Sequence, residues 1–188
     1  MKYVRQATLG DLSEISAIFE DAKKVLSNDG SSQWQNGSPS IENFKKDIED
    51  GCCYVLIVDE EVAGMASLIE GPDKNYQRID SGEWKNKSDD YIAIHRVAIS
   101  SKYQGMHLND TLFACLLTVI ETKGFKHVSI DSDVLETKGF KHVRIDTHPK
   151  NQRLQHIADK FGFEYRGIIY IEDETVEPER KAYELELG

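Results

Sequence analysis

The stretch YIAIHRVAISSKYQGMHLNDTLFACLL, Tyr91 to Leu117, decides how the rest of the chain is read. Its first ten residues are rich in β-branched and aromatic types and contain no Gly or Pro, the composition of a strand. After Gly105, Leu108, Leu112, Phe113, Leu116, Leu117 and Ile120 recur at helical spacing, so the stretch reads as strand, tight loop, helix. The first N–H groups of such a helix have no intrahelical partner, and its dipole favours negative charge. The loop from Lys102 to Asn109 therefore suits a phosphate, and a phosphorylated ligand is expected. An ordinary strand-to-helix connection in which Gly105 only turns the chain has the same spacing. Neither the three spaced glycines of a dinucleotide loop nor the Gly-Lys-Ser/Thr of a nucleotide-hydrolase loop is present.

Working outward, residues 2–8 alternate as a short strand. Thr8 or Asp11 can cap a helix carrying Leu12, Ile15, Ile18, Phe19, Ala22 and Val25 on one face, and it should stop near Asn28-Asp29-Gly30. In the loop from Ser31 to Pro39, Trp34 either plugs the core or lines a pocket. Ser40 opens a second helix that ends at Gly51, and Cys52–Val58 and Val62–Glu70 form a hairpin about Asp59-Glu60-Glu61. The polar stretch from Gly71 to Asp90, with isolated Tyr76 and Trp84, is a long connection: a mobile surface excursion or a substrate-facing flap.

Downstream, ETKGFKHVSID (121–131) and ETKGFKHVRID (136–146) match at ten of eleven positions, offset by fifteen. Two copies suggest a tandem duplication inside a single domain spanning 1–188 rather than a solenoid. Only one copy can fill a central strand. The second is the better choice, because it leads through Thr147 to Asn151, where Pro149 and Asn151 open a helix bearing Leu154, Ile157, Ala158 and Phe161 and stopped by Gly162. Phe163–Ile171 and Lys181–Leu187 read as closing strands around an acidic, solvated hairpin loop from Glu172 to Glu179.

The 188 residues suit one domain. A net charge of −10, from 33 acidic against 23 basic residues, repels polyanions and argues against nucleic-acid or anionic-membrane partners, while attracting an amine. Cys52, Cys53 and Cys115 are odd in number and lack a C-x-x-C pair, which fits reduced, buried thiols in a cytoplasmic protein. No apolar run is long enough to span a bilayer, and no signal peptide is expected. His107, His127, His142, His148 and His156 make no recognisable metal set.

The string HRVAISSKYQGMHLNDTLF resembles the acyl-CoA-binding motif of the GNAT superfamily of N-acetyltransferases, R/Q-x-x-G-x-G/A after a strand. Gln104 takes the first position, and His107 and Asn109 stand where the pattern has its later glycines, a departure that keeps the backbone N–H groups. YVRQAT, QW…GSP, IHRVAIS and the closing N-x10-GF follow the family's order over nearly the whole chain. The resemblance implies an α/β (α+β) fold: a mixed twisted sheet flanked by helices, with two central parallel strands splaying apart. Acetyl-CoA is the implied co-substrate. Val97, Ala98, Ile99 and Asn151 would meet its pantetheine arm, Gln104, Gly105, Met106, His107, Leu108 and Asn109 its pyrophosphate, with Thr147 entering the ligand site and Trp34 bordering the acceptor.

Direct acetyl transfer to an amine needs a base, a polarised thioester carbonyl and a proton for the thiolate. His95 is the candidate base, since some amine-acetylating relatives carry His there; a packed strand histidine is the alternative. The family's usual thiolate-protonating Tyr aligns with Ala158, for which Tyr165 or Tyr170 could substitute if they are not core residues. Cys115, on an apolar helix face, reads as a buried thiol. The chain is expected to be an acetyl-CoA-dependent N-acetyltransferase acting on a small amine or a peptide amino group, with a CoA-binding regulatory module without turnover as the alternative. A homodimer is left open.

Overall fold

Seven strands build one mixed sheet: β1 (Lys2–Gln6), β2 (Cys53–Val58), β3 (Glu61–Glu70), β4 (Ile92–Ile99), β7 (His142–Thr147), β8 (Glu164–Tyr170) and β9 (Glu179–Glu186). Their spatial order is β1-β2-β3-β4-β7-β9-β8, and the two short strands β5 (Phe125–Lys126) and β6 (Thr137–Lys138) pair with each other outside it. The α-helices among the described residues are α1 (Leu12–Asn28), α2 (Ile41–Glu49), α3 (Leu108–Lys123) and α4 (Gln152–Lys160). This is a computed structural model describing residues 1–123, 125–126, 137–138 and 140–188. Within the sheet only β4 and β7 run parallel; every other neighbouring pair is antiparallel.

The alternation of side chains along β2 shows how the layers form. Tyr54, Leu56 and Val58 pack with Leu112, Phe113 and Leu116 of α3 and Ile157 of α4, while Cys53, Val55 and Ile57 meet Ile15 and Phe19 of α1 and Phe44 of α2. Both faces of the sheet are thus covered, α3 and α4 on one side and α1 and α2 on the other. Asp11 anchors the entry to α1, accepting hydrogen bonds from the Arg5 guanidinium (2.7 and 2.8 Å) and from the Thr8 backbone N–H (2.7 Å).

The connection from residue 71 to 90 is packed rather than a mobile excursion. Tyr76 and Trp84 are buried with Tyr91, Ala93, Ile169 and Ala182 in a third apolar cluster. At Gly82 the chain passes so close to β8 that a Cβ there would lie 1.8 Å from the Arg166 carbonyl oxygen. The acidic turn between β8 and β9 is also less bland than its composition suggests, because the half-buried Glu174 pairs with the buried Arg180.

The second copy of the repeat supplies β7. From the first copy, 121–123 complete α3 and 125–126 form β5, while Gly124 and His127 to Asp131 lie outside the described residues. The single mismatch between the copies, Ser129 against Arg144, falls on the most demanding position of the strand. Arg144 is buried, 3.0 Å from Glu184, with its guanidinium 4.0 and 3.9 Å from the ring centroids of Trp84 and Tyr91.

Candidate active site

β4 and β7 pair only at Ile92 with Val143 and Ala93 with Arg144. Beyond that point the strands part, and a cleft of about 540 Å³ opens between them. A bulge in β4 shapes its wall: His95 faces Ser67 and Ala98 faces Met65, so Arg96 and Val97 together oppose the single residue Ala66. Arg96 sits in the left-handed region at φ 55°, which costs a non-glycine residue about 1 kcal/mol. Its side chain is held on α2, where one oxygen of the buried Asp47 carboxylate accepts from Arg96 Nη1 and from the Ser67 hydroxyl, both at 2.5 Å. The bulge thereby turns His95 and Arg96 to different partners.

At one end of the cleft lies the turn into α3. Gly105 (φ 82°) and His107 (φ 52°) are both left-handed, so His107 occupies a conformation that glycine takes without strain. The Met106 N–H bonds to the Tyr103 carbonyl, whereas the N–H groups of Gly105, His107, Leu108 and Asn109 have no acceptor among the described residues. Four such donors at a helix N-terminus fit an anion such as a pyrophosphate, and a Cβ on Gly105 would find nothing within 4 Å, so there is room for one. Asn151 caps α4, its Oδ1 accepting from the Leu154 N–H at 3.2 Å.

The other end holds a histidine between two carboxylates. His95 Nε2 is 3.0 Å from Asp73 Oδ2, and its Nδ1 is 3.8 Å from Asp146 Oδ1. Asp73 also accepts from the Asn75 N–H at 2.8 Å, and Asp146 from the Tyr76 hydroxyl at 2.7 Å. Burial pushes the Asp73 carboxyl up, but the hydrogen bond and charge of His95 and the Asn75 donors outweigh it, leaving Asp73 below its ordinary value. Burial, reinforced by the Asp146 charge, holds the Tyr76 hydroxyl well above its ordinary value, so it stays a neutral donor. An ionised Asp73 can only accept, so in the neutral form of His95 the proton lies on Nε2 and the lone pair on Nδ1.

Of the residues singled out in the sequence, Trp34, His95, Val97, Ala98 and Ile99 border the cleft, as do Gln104, Gly105, His107, Leu108, Asn109 and Asn151. Trp34 does both things weighed for it, packing with its ring centroid 5.0 Å from that of Phe19 in a tilted pair while facing the cleft. Met106 and Thr147 do not border it. Met106 projects outward, 46% exposed, and Thr147 is fully buried. The parity of β7 explains Thr147: Val143 and Ile145 point into the core under α3 and α4, so Thr147 follows them and Asp146 faces the opposite way. Asp146 was thus findable from strand alternation, once β7 was placed. Asp73 carried no local signal, since it comes from the long connection. Ala158 is buried in the core, Tyr165 is half-exposed outside the cleft and Tyr170 lies under Arg78, so none supplies a hydroxyl there. Tyr103 does border the cleft, at the α3 end, with its hydroxyl donating to Glu61 at 2.7 Å.

The cleft thus combines a parallel-strand splay, a turn with unused amides at one end and a histidine flanked by two carboxylates at the other. The sequence profile of the Acetyltransferase (GNAT) family matches residues 17–135, and the chain belongs to that family. No curated protein sequence matches it. Among solved structures it is similar to a GNAT-family acetyltransferase from Streptococcus agalactiae 2603, at 28% identity and a TM-score of 0.83 over 100% of this chain and 96% of that one. A GNAT-family acetyltransferase from Listeria monocytogenes 4b F2365 shares 19% identity with a TM-score of 0.68, covering 99% and 95% of the two chains. A chimeric spermidine N-acetyltransferase from Vibrio cholerae and hSSAT shares 16% at 0.61, covering 98% and 94%. The last two likenesses are of fold. Family membership carries acetyl transfer from acetyl-CoA as the general chemistry, and no helix among the described residues is long and apolar enough to cross a membrane.

Proposed function

We propose that the protein transfers the acetyl group of acetyl-CoA to a primary amine by direct attack within a ternary complex, with His95 as general base. The observation that carries this reading is the His95 ring, hydrogen-bonded through Nε2 to Asp73 and presenting Nδ1 towards Asp146. Bound acetyl-CoA would supply an electrophilic thioester carbonyl. The unused amides of Gly105, His107, Leu108 and Asn109 are suited to its pyrophosphate, and Val97, Ala98 and Ile99 on the bulged strand to its pantetheine arm.

In this arrangement Asp146 draws an ammonium group to His95, and Nδ1 takes the proton that must leave before or during attack. Asp73 fixes the ring tautomer and stabilises the imidazolium that results, the role of an orienting carboxylate beside a base. The C–N bond forms as the C–S bond breaks, and the thiolate collects a proton from solvent or from the imidazolium. The three free cysteines, two of them pushed up by burial to about 11 and about 12, fit a reducing, cytoplasmic setting and take no part.

Thiol release from acetyl-CoA, measured across a panel of amines, tests the reading. His95→Gln should lower kcat by roughly 100-fold or more with little change in acetyl-CoA affinity. Turnover that survives this change removes His95 from the mechanism. Binding of CoA with no thiol release from any amine supports the regulatory module instead.

A further inference from the structure

The charges around the cleft are unevenly matched. Every guanidinium that borders it already has a carboxylate: Arg96 with Asp47, Arg153 with Asp29 and Arg180 with Glu174. Arg180 is 1% exposed, and its Nη1 also donates to the carbonyls of Glu177 and Glu179, both at 2.8 Å. No lysine borders the cleft among the described residues. Asp73 and Asp146, by contrast, meet the His95 ring, the Tyr76 hydroxyl and the Asn75 donors, and among the described residues neither is paired with a Lys or Arg. Beside them the wall is apolar, made by Ile69, Ile94, Ile171 and Trp34.

We propose that the acceptor is a small amine that carries no carboxylate, so that amino acids and peptide chains are excluded. The proposal rests on the acetyl-transfer reading above and narrows its substrate. An ammonium entering this cleft meets two anionic oxygens without a competing cation. A carboxylate on the same molecule would be carried close to those oxygens, with no free guanidinium to offset the repulsion or the loss of water.

Peptides meet a second obstacle, because the segments around the acceptor end are tied to one another. Asn36 Nδ2 donates to the Asp173 carbonyl at 3.4 Å and the Ser32 hydroxyl to the Val176 carbonyl at 3.3 Å. Lys74 pairs with Asp173 at 2.9 Å and Lys150 with Glu177 at 2.7 Å. The loop between β8 and β9 is thereby tied to the segment 31–39, to the connection 71–90 and to the start of α4. The tied segments are those that supply Trp34, Asp73, Asn75 and Glu174 to the cleft wall, so a polypeptide leaving the site along its own backbone would have to part them.

The test is thiol release from acetyl-CoA with matched acceptors. Cadaverine is compared with lysine and lysinamide, tyramine with tyrosine and tyrosinamide, and all with a short peptide bearing a free N-terminus and one lysine. The expected result is a kcat/KM for each amine at least about tenfold above its amino acid, with the uncharged amides lying near the amines and the peptide near background. Amino acids or the peptide turned over as well as the amines would overturn the proposal while leaving acetyl transfer intact; silence with every acceptor would overturn acetyl transfer itself, and the proposal with it. Glu174→Gln removes the counter-ion of Arg180 and should narrow the ratio of cadaverine to lysine, with the melting temperature confirming the fold. If the ratio in a folded variant does not move, charge matching around the cleft is not what excludes the carboxylate.

Discussion

Fifteen residues can be removed from the repeated region in two ways that differ by one side chain. Deleting 121–135 leaves ETKGFKHVRID before Thr147, deleting 132–146 leaves ETKGFKHVSID, and the remainder of the two chains is identical. The first keeps Arg144; the second puts a serine in its place. The Arg144 and Glu184 side chains are 4% and 1% exposed and 3.0 Å apart, and removing one partner of a buried pair costs about 3–5 kcal/mol. The two ring contacts add roughly 1 kcal/mol each. The Lys85 N–H, 2.7 Å from Glu184 Oε2, and the Arg166 guanidinium, 3.7 Å from the same oxygen, remain in place and bring the expected difference down to about 4 kcal/mol, or ~10 °C in melting temperature for a domain of this size.

Urea unfolding followed by circular dichroism and by tryptophan fluorescence measures the difference, Trp84 lying against Arg144. The 121–135 deletion should be at least as stable as the full chain, because shortening a connection changes its closure cost by only ~0.6 kcal/mol per twofold change in length. Two deletions that agree within about 1 kcal/mol would refute the reasoning, showing that the Arg144 environment does not select the copy that enters the sheet.

Asp47→Ala should destabilise by about 3 kcal/mol through loss of one charged and one hydroxyl hydrogen bond, and should weaken acetyl-CoA binding as the bulge relaxes; adding Arg96→Gly, which suits φ 55°, should recover part of both in urea and isothermal titrations. Gly82→Ala places a Cβ 1.8 Å from the Arg166 carbonyl oxygen and should cost more than about 2 kcal/mol by prising the 71–90 connection off β8, read as a drop in melting temperature. The bond from Arg5 first, helped by the Thr8 donors, holds the Asp11 carboxyl well below its ordinary 3.8, so its contribution is complete above that value and disappears as pH falls through the depressed one. Asp11→Asn should therefore lower the melting temperature at neutral pH and flatten its fall between about pH 5 and about pH 2.

What the sequence determined by itself was local. Apolar spacing placed α1, α3 and α4 to within a few residues, the short acidic turn placed the β2–β3 hairpin, and Gly105 ahead of a helical repeat marked the turn into α3. The resemblance of Gln104 to Asn109 to a family motif supplied the order of the remaining parts, and with it the splay of β4 from β7. Each of these signals lives within one or two turns of chain, where spacing and backbone propensity decide.

Only the tertiary structure could decide the rest, because the deciding partners are distant in sequence. Asp73 reaches His95 from 22 residues away out of a polar connection, with no periodicity to announce it. Asp146 replaces Thr147 at the cleft because sheet parity, fixed by the packing of Val143 and Ile145, turns every second side chain away. The left-handed Arg96 is held by Asp47 on another element. The choice between two nearly identical segments for β7 turns on a buried carboxylate 40 residues further on, Glu184, to which only the copy carrying arginine adds a hydrogen-bonded cation at 3.0 Å.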